Sequence, residues 1–268
     1  MFGSSKTAED TQWHKKKRTP VDNELSHPSD GEAWKHFDFK YPAFARDARN
    51  LRLAVATDGV NLFGNFSTTY SMWTVLVTPL NLPPWECVNP SNCFMSLLIQ
   101  GPKSPGKDFD LFLEPLIEKL LELWSGVSTY DAASSTKFNL HAAVLWCIHD
   151  FPALSTMSGR TTKSYYACTH CNENPLSQAL RNKVGYFGLC CYLPMDYPWR
   201  RSLVFDGKRE NQSAPRKFTT DEVTDVRLGK DGGKKRKRGD KEESIIYNPK
   251  SAWWKLPYWK DLLLPHNC

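Results

Sequence analysis

A mixed α/β fold is predicted, on three observations. Three strand-like runs follow one another with no helix between them. One long amphipathic helix comes next. The apolar run LHAAVLWCIHD, residues 140–150, then reads as a further strand. Strands met in succession favour an antiparallel meander.

The elements follow in order. Residues 1–50 are mostly polar, and Pro28 and Ser29 favour a turn. Ser29 is placed to cap a short helix carrying Trp34 and Phe37. In LRLAVATD, residues 51–58, Leu51, Leu53 and Val55 alternate with Arg52, Ala54 and Ala56, which is strand periodicity. Asp58-Gly59 is a turn signal and predicts the strand's end. MWTVLVT at 72–78, closed by Pro79, and FMSLLI at 94–99, closed by Gly101-Pro102, are the second and third strands. Phe109, Phe112, Leu113, Leu116, Ile117, Leu120, Leu121 and Trp124 form one broad apolar helical face. Pro115 is expected to begin the regular helix or to kink it. The run 140–150 has the length and flanks of a central strand buried on both faces.

Beyond Asp150 the character changes. Residues 160–215 are turn-rich and hold four of the eight cysteines. Residues 216–250 are polar and rich in Gly and Lys, the composition of a disordered linker. SAWWKLPYWKDLLLPHNC, at 251–268, is apolar and stops abruptly, like an interrupted chain.

Composition narrows the function classes. The 268 residues are 40% hydrophobic and 24% charged, enough apolar surface for a core. No apolar run approaches the ~18–20 residues of a membrane span, and the N-terminus lacks the apolar centre of a secretory signal. The net charge of +6 is local: residues 227–241 hold eight Lys or Arg and two acids. Within them Lys234, Lys235, Arg236, Lys237 and Arg238 resemble a nuclear import address that an import receptor would read, the alternative being a solvated linker. His14-Lys15-Lys16-Lys17-Arg18 is a weaker second basic cluster.

Two groups could carry chemistry. The first and last strands end on Asp58 and Asp150. In an RNase H-like sheet those strands are parallel neighbours, so the carboxylates would converge and offer hard oxygens to Mg²⁺. Two such ions ~3.5–4 Å apart activate an attacking hydroxyl and stabilise the leaving oxygen. The plainer alternative is that both acids cap turns. Asp131, in TYDAAS, is a rival second acid but is expected in a loop. The other group is Cys168 and Cys171, a CxxC pair that is half of a zinc site, a redox pair or two thiols. Cys190 and Cys191 follow at the spacing of a second pair, yet adjacent cysteines are poor joint ligands, which argues for a weak or partial site. Trp253, Trp254, Tyr258 and Trp259 could stack on bases, but core or docking contacts are the expected role. No Walker or dinucleotide-type glycine loop is present.

The phrases SKTAED, HPSDGEAWKHFD, ARNLRLAVATDGVNLFGNFSTTYSMW, NLPPW, GPKSPGKDFDLFLEPLIEKL, TYDA, HDFPALSTMSGR, ACTHCN, YLPMDYPWRR, FDGKRE and LPYWKDLLLPHN run from about residue 4 to 267. In that order they resemble the transposases of plant CACTA (En/Spm-type) DNA transposons. The resemblance implies an RNase H-like domain of DDE/D type, with a mixed sheet, a Cys-containing insertion and a disordered basic loop. It implies Mg²⁺- or Mn²⁺-dependent cleavage and strand transfer at transposon DNA ends, in the nucleus, and allows a homo-oligomer. Asp58 matches the first catalytic acid, Asp150 is assigned as the second, and Cys168 and Cys171 match the CxxC insertion. Three departures stand out. Gly188 is followed by Leu189 where the family carries His, His149 stands where Asn is common, and the family's third acid is expected beyond Cys268. The implied organisation is an extension (1–50), an incomplete core (51–159), the CxxC insertion (160–215), the basic linker (216–250) and an incomplete apolar segment (251–268). This chain alone is then expected to be inactive. The rival expectation is a non-catalytic nuclear DNA- or protein-binding module derived from a transposase.

Overall fold

The computed structural model describes residues 1–21, 24–61, 70–150, 153, 157, 177–181, 184–186, 189–204, 207–214 and 251–262. The chain opens with helices α1 (Ser5–Asp10), α2 (Trp13–Lys16), α3 (Glu32–Lys40) and α4 (Pro42–Arg46). Strands β1 (Leu51–Asn61) and β2 (Ser71–Pro79), the short helix α5 (Pro84–Cys87) and strand β3 (Phe94–Ile99) follow. Then come α6 (Phe109–Ser125), β4 (Val127–Asp131), β5 (Thr136–Leu140), β6 (Ala142–Ile148), β7 (Ser177–Ala179) and β8 (Val184–Tyr186). Among the described residues no helix is long and apolar enough to cross a membrane.

The fold is mixed α/β. Its main sheet has the order β3-β2-β1-β6, with β1 antiparallel to β2, β2 antiparallel to β3, and β1 parallel to β6. The predicted meander, helix and parallel strand are therefore present. Between helix and parallel strand stands the hairpin β4–β5, a separate two-stranded sheet. Asp131 is thus the last residue of a strand, not a loop residue. Among the described strands β6 is at the sheet's edge rather than its centre, although Ala142, Ala143, Val144 and Leu145 are buried.

Strand β1 does not stop at Asp58-Gly59. It runs on to Asn61, and Gly59 pairs with Trp73 of β2. A Cβ on Gly59 would stand 2.9 Å from Trp73 Cε2. Here glycine serves close packing under an indole rather than a turn. Trp73 in turn meets Phe109 edge-on, at 5.8 Å between ring centres.

Helix α6 buries Phe109, Leu113, Ile117 and Leu120, the inner part of the expected apolar face, while Phe112 is exposed. The helix continues through Pro115. Proline removes the bond to the carbonyl four residues earlier, and both Pro115 and Leu111 are exposed, so the freed carbonyl is on the solvent side. Gly126 ends the helix at φ 103, a left-handed conformation that disfavours any side chain.

Helix α3 begins after Gly31. Ser29 does not cap it: His27 accepts the Ser29 N–H at the head of a short 3-10 turn, Pro28–Asp30. The polar-looking first fifty residues contribute Phe2, Trp34, Phe37 and Phe44 to the core. Residues 251–262 close it from the other end. Trp253, Tyr258 and Trp259 are buried, so the expected docking role of these aromatics holds. The Tyr258 ring lies 4.6 Å from Trp124, and its hydroxyl accepts the Val144 N–H of β6 at 2.9 Å. Asp110 accepts the Ala252 N–H, Lys255 pairs with Glu114, and Tyr41 donates to Asp261.

Candidate active site

Alternation along β1 sorts its side chains onto two faces. Thr57 and Gly59 lie opposite Val75 and Trp73, on the face that packs against Phe109 of α6. Arg52, Ala54, Ala56 and Asp58 share the other face. There Arg52 stands over the rings of Trp34 and Phe44, so α3 and α4 cover its lower half. The cover ends higher up: Asp58 and Val60 are exposed, as is Ile148 on β6.

The register between β1 and β6 decides what stands beside Asp58. From Leu51↔Ala142 to Leu53↔Val144 the partners differ by 91 residues. A bulge then inserts one residue, Leu145, and from Ala54↔Trp146 to Ala56↔Ile148 they differ by 92. The last pair is Ala56↔Ile148. Strand β6 ends there, at Ile148; continued two residues further, that register would set Asp150 opposite Asp58, on strand axes about 4.8 Å apart. Without the bulge His149 would hold that place.

Among the described residues each acid accepts one local hydrogen bond. Asp58 Oδ1 accepts its neighbour's N–H, from Gly59, at 2.7 Å. Asp150 Oδ1 accepts the Ala153 N–H at 2.9 Å. Both side chains are exposed. Beside them the Nε2 of His149 is buried with no partner among the described residues. Burial lowers the pKa of this imidazole, outweighing its hydrogen bonding with nearby backbone and the Asp150 charge. Carboxylate oxygens of this kind suit Mg²⁺ or Mn²⁺, and these two could supply one ligand each. Among the described residues no group of three or more His, Cys, Asp or Glu side chains comes together.

Asp131 is excluded as the partner of Asp58. It is 1% exposed and accepts bonds from the Ala133 N–H, the Ser134 hydroxyl and the Arg49 guanidinium. Burial would raise its pKa, but Ser134, Ala133 and Arg49 together hold it below the usual carboxylate value. Arg49 lies just before β1, so Asp131 serves the opposite end of that strand from Asp58.

Of the zinc candidates, Cys190 and Cys191 lie in a 3-10 turn, Leu189–Tyr192, and form no disulfide; Cys191 is buried. Cys168 and Cys171 lie outside the described residues, as does the basic run Lys234, Lys235, Arg236, Lys237 and Arg238. The second basic cluster is largely structural. Arg18 pairs with Asp30 and His14 packs on Trp34, while Lys17 sits 3.7 Å from both Glu9 and Asp10.

The sequence matches the transposase family tnp2 over residues 22–228, well over half of the chain. The chain belongs to that transposase family. Comparisons with curated proteins and with solved structures give no significant match.

Proposed function

We propose that this chain carries an RNase H-like catalytic core of a CACTA (En/Spm-type) transposase, acting on transposon DNA ends in the nucleus. Asp58 and Asp150 are the paired metal ligands of that domain, and Mg²⁺ or Mn²⁺ supplies the Lewis acidity for phosphodiester cleavage and strand transfer. The observation that supports this reading is the β1–β6 register, which one bulge shifts so that its last pair is Ala56↔Ile148; continued two residues, it would set Asp150 rather than His149 opposite Asp58. Membership of a transposase family supports the substrate class.

This chain's own residues do the positioning. Strand β1 carries Asp58, and Asp150 follows β6 by two residues, on a sheet anchored by Arg52 below and Trp73 across. The short bonds from Gly59 and Ala153 orient one oxygen of each carboxylate.

Mn²⁺ binding to the full chain, followed by electron paramagnetic resonance, tests the assignment. Asp58→Asn and Asp150→Asn should each weaken binding by at least what losing an outer-shell partner costs, about 10–100-fold. Asp131→Asn should leave it unchanged. Equal Mn²⁺ affinity in all three variants would remove the assignment.

We also propose that Lys234, Lys235, Arg236, Lys237 and Arg238 direct nuclear import. Changing all five to alanine should spread a fluorescent fusion evenly between nucleus and cytoplasm. Undiminished nuclear accumulation would reject the address.

A further inference from the structure

A second surface has features of a nucleic-acid contact. Between α2, α4 and the turn joining β4 to β5 lies an open groove of about 630 Å³. Its walls carry four cations, Lys15, Lys16, Arg46 and Arg49, against two acids, Asp47 and Asp131.

The two acids are already occupied. Arg49 binds both oxygens of Asp47 and one of Asp131, and its guanidinium lies 3.8 Å over the ring of Phe138. That triad is fixed and carries a net charge of −1, which the nearby Lys15 feels, so the groove lining as a whole stays at +2. Among the described residues Lys15 hydrogen-bonds to the carbonyls of Ala45 and Arg46, at 3.2 and 3.5 Å. Lys16 and Arg46 are exposed and meet no carboxylate among the described residues. Lys17 and Arg18, next in the chain, are by contrast drawn to Glu9, Asp10 and Asp30. Of this basic cluster, Lys15 and Lys16 are thus the lysines that line the groove without a carboxylate in hydrogen-bond reach.

We propose that this groove binds the phosphodiester backbone of duplex DNA. Exposed lysine and arginine around an open channel suit phosphates that arrive in a row and carry no base information. The choice of duplex rests on the transposase reading above. The groove lies at the start of β1, while Asp58 is seven residues into that strand, roughly 23 Å away along it. It would therefore hold DNA flanking the reacting phosphate rather than the reacting phosphate itself.

The test is fluorescence anisotropy of the full chain with a labelled duplex of arbitrary sequence, over a range of KCl concentrations. Lys16→Ala combined with Arg46→Ala should weaken binding to all sequences alike and reduce the salt slope by about two, one for each phosphate no longer neutralised. Arg46→Gln alone should reduce it by about one. Lys119→Ala, on α6 and outside the groove lining, controls for net charge and should change little. Inorganic phosphate at matched ionic strength should not displace the duplex. An unchanged slope in the double variant, an equal loss in the Lys119 control, or displacement by phosphate alone would each overturn the proposal. Asp58→Asn should keep the parent salt slope, so failure of the metal site and failure of the groove are read separately.

Discussion

Asp38→Ala should lower the stability of the fold by up to about 3 kcal/mol, the low end of what stranding a buried charge costs, because Arg52 is buried while Asp38 is 30% exposed. The Arg52 side chain is 1% exposed, and its guanidinium donates from Nε and Nη2 to Asp38 Oδ1 and from Nη1 to the Asn50 carbonyl. Burial pulls its pKa below the ordinary value, and the Asp38 charge opposes that pull. Without Asp38 the guanidinium has no counter-charge over the rings of Trp34 and Phe44, and arginine cannot shed its proton to escape. The Trp34 Nε1–H also loses its acceptor, Asp38 Oδ2. Asp38→Leu with Arg52→Met should recover most of the loss, because an apolar pair of similar volume removes the stranded charge. Urea unfolding of the three variants decides the matter. A single variant within about 1 kcal/mol of the parent would mean that water reaches Arg52, as at exposed pairs.

Acid should destabilise the protein well before its carboxylates titrate. Burial, then the Arg52 charge and then His27 lower the pKa of His14 from 6.5 to about 3. His27, stacked against it at 6.3 Å, is lowered too, by burial first and by Arg18, against the Leu82 carbonyl. The unfolded chain takes up the His14 proton near pH 6.5 and the folded chain only near pH 3. The contribution to stability is therefore complete above 6.5 and is lost as the pH falls toward 3. Its slope is about 1.4 kcal/mol per pH unit for His14 alone. His14→Phe keeps the ring beside Trp34 and removes a buried Nδ1 that has no partner among the described residues. Between pH 6 and 4.5 the variant should lose stability less steeply, by about one proton's worth. The parent's slope persisting in His14→Phe would place the titration elsewhere.

What could be read from sequence was local. Alternation and the prolines and glycines after each run placed the meander strands to within a few residues, and the three-four spacing from Phe109 to Trp124 placed α6. The departures are tertiary. The extension of β1 through Gly59 depends on an indole from the next strand, which no local pattern announces. The hairpin β4–β5 left a faint trace in Val127, Thr129, Thr136 and Phe138, masked by the TYDAAS turn residues between them. The first fifty residues look polar because a few large side chains, Trp34 and Phe37 above all, carry their burial. At the candidate site the acids were legible as residue types near the ends of apolar runs, although Asp58 lies inside β1 and Asp150 just past β6. The burial of Asp131 was not, because its cation, Arg49, is 82 positions away. Nor was the bulge at Leu145, since one strand's sequence does not reveal its register against another.

The return of residues 251–262 to the core also sets a timetable for synthesis. The Tyr258 hydroxyl that satisfies Val144 comes from 114 positions downstream, and the carboxylate that receives Tyr41 from 220 downstream. Until the ribosome has released that stretch, the flank of α6 and the backbone of β6 lack their cover. The nascent sheet must wait, partly bare, while some hundred intervening residues are made. Closing so long a loop is entropically costly and slow, and the exposed apolar surface can associate wrongly in the meantime. In the cell this is a chain whose first half has reason to be held by a chaperone until its last aromatic residues arrive.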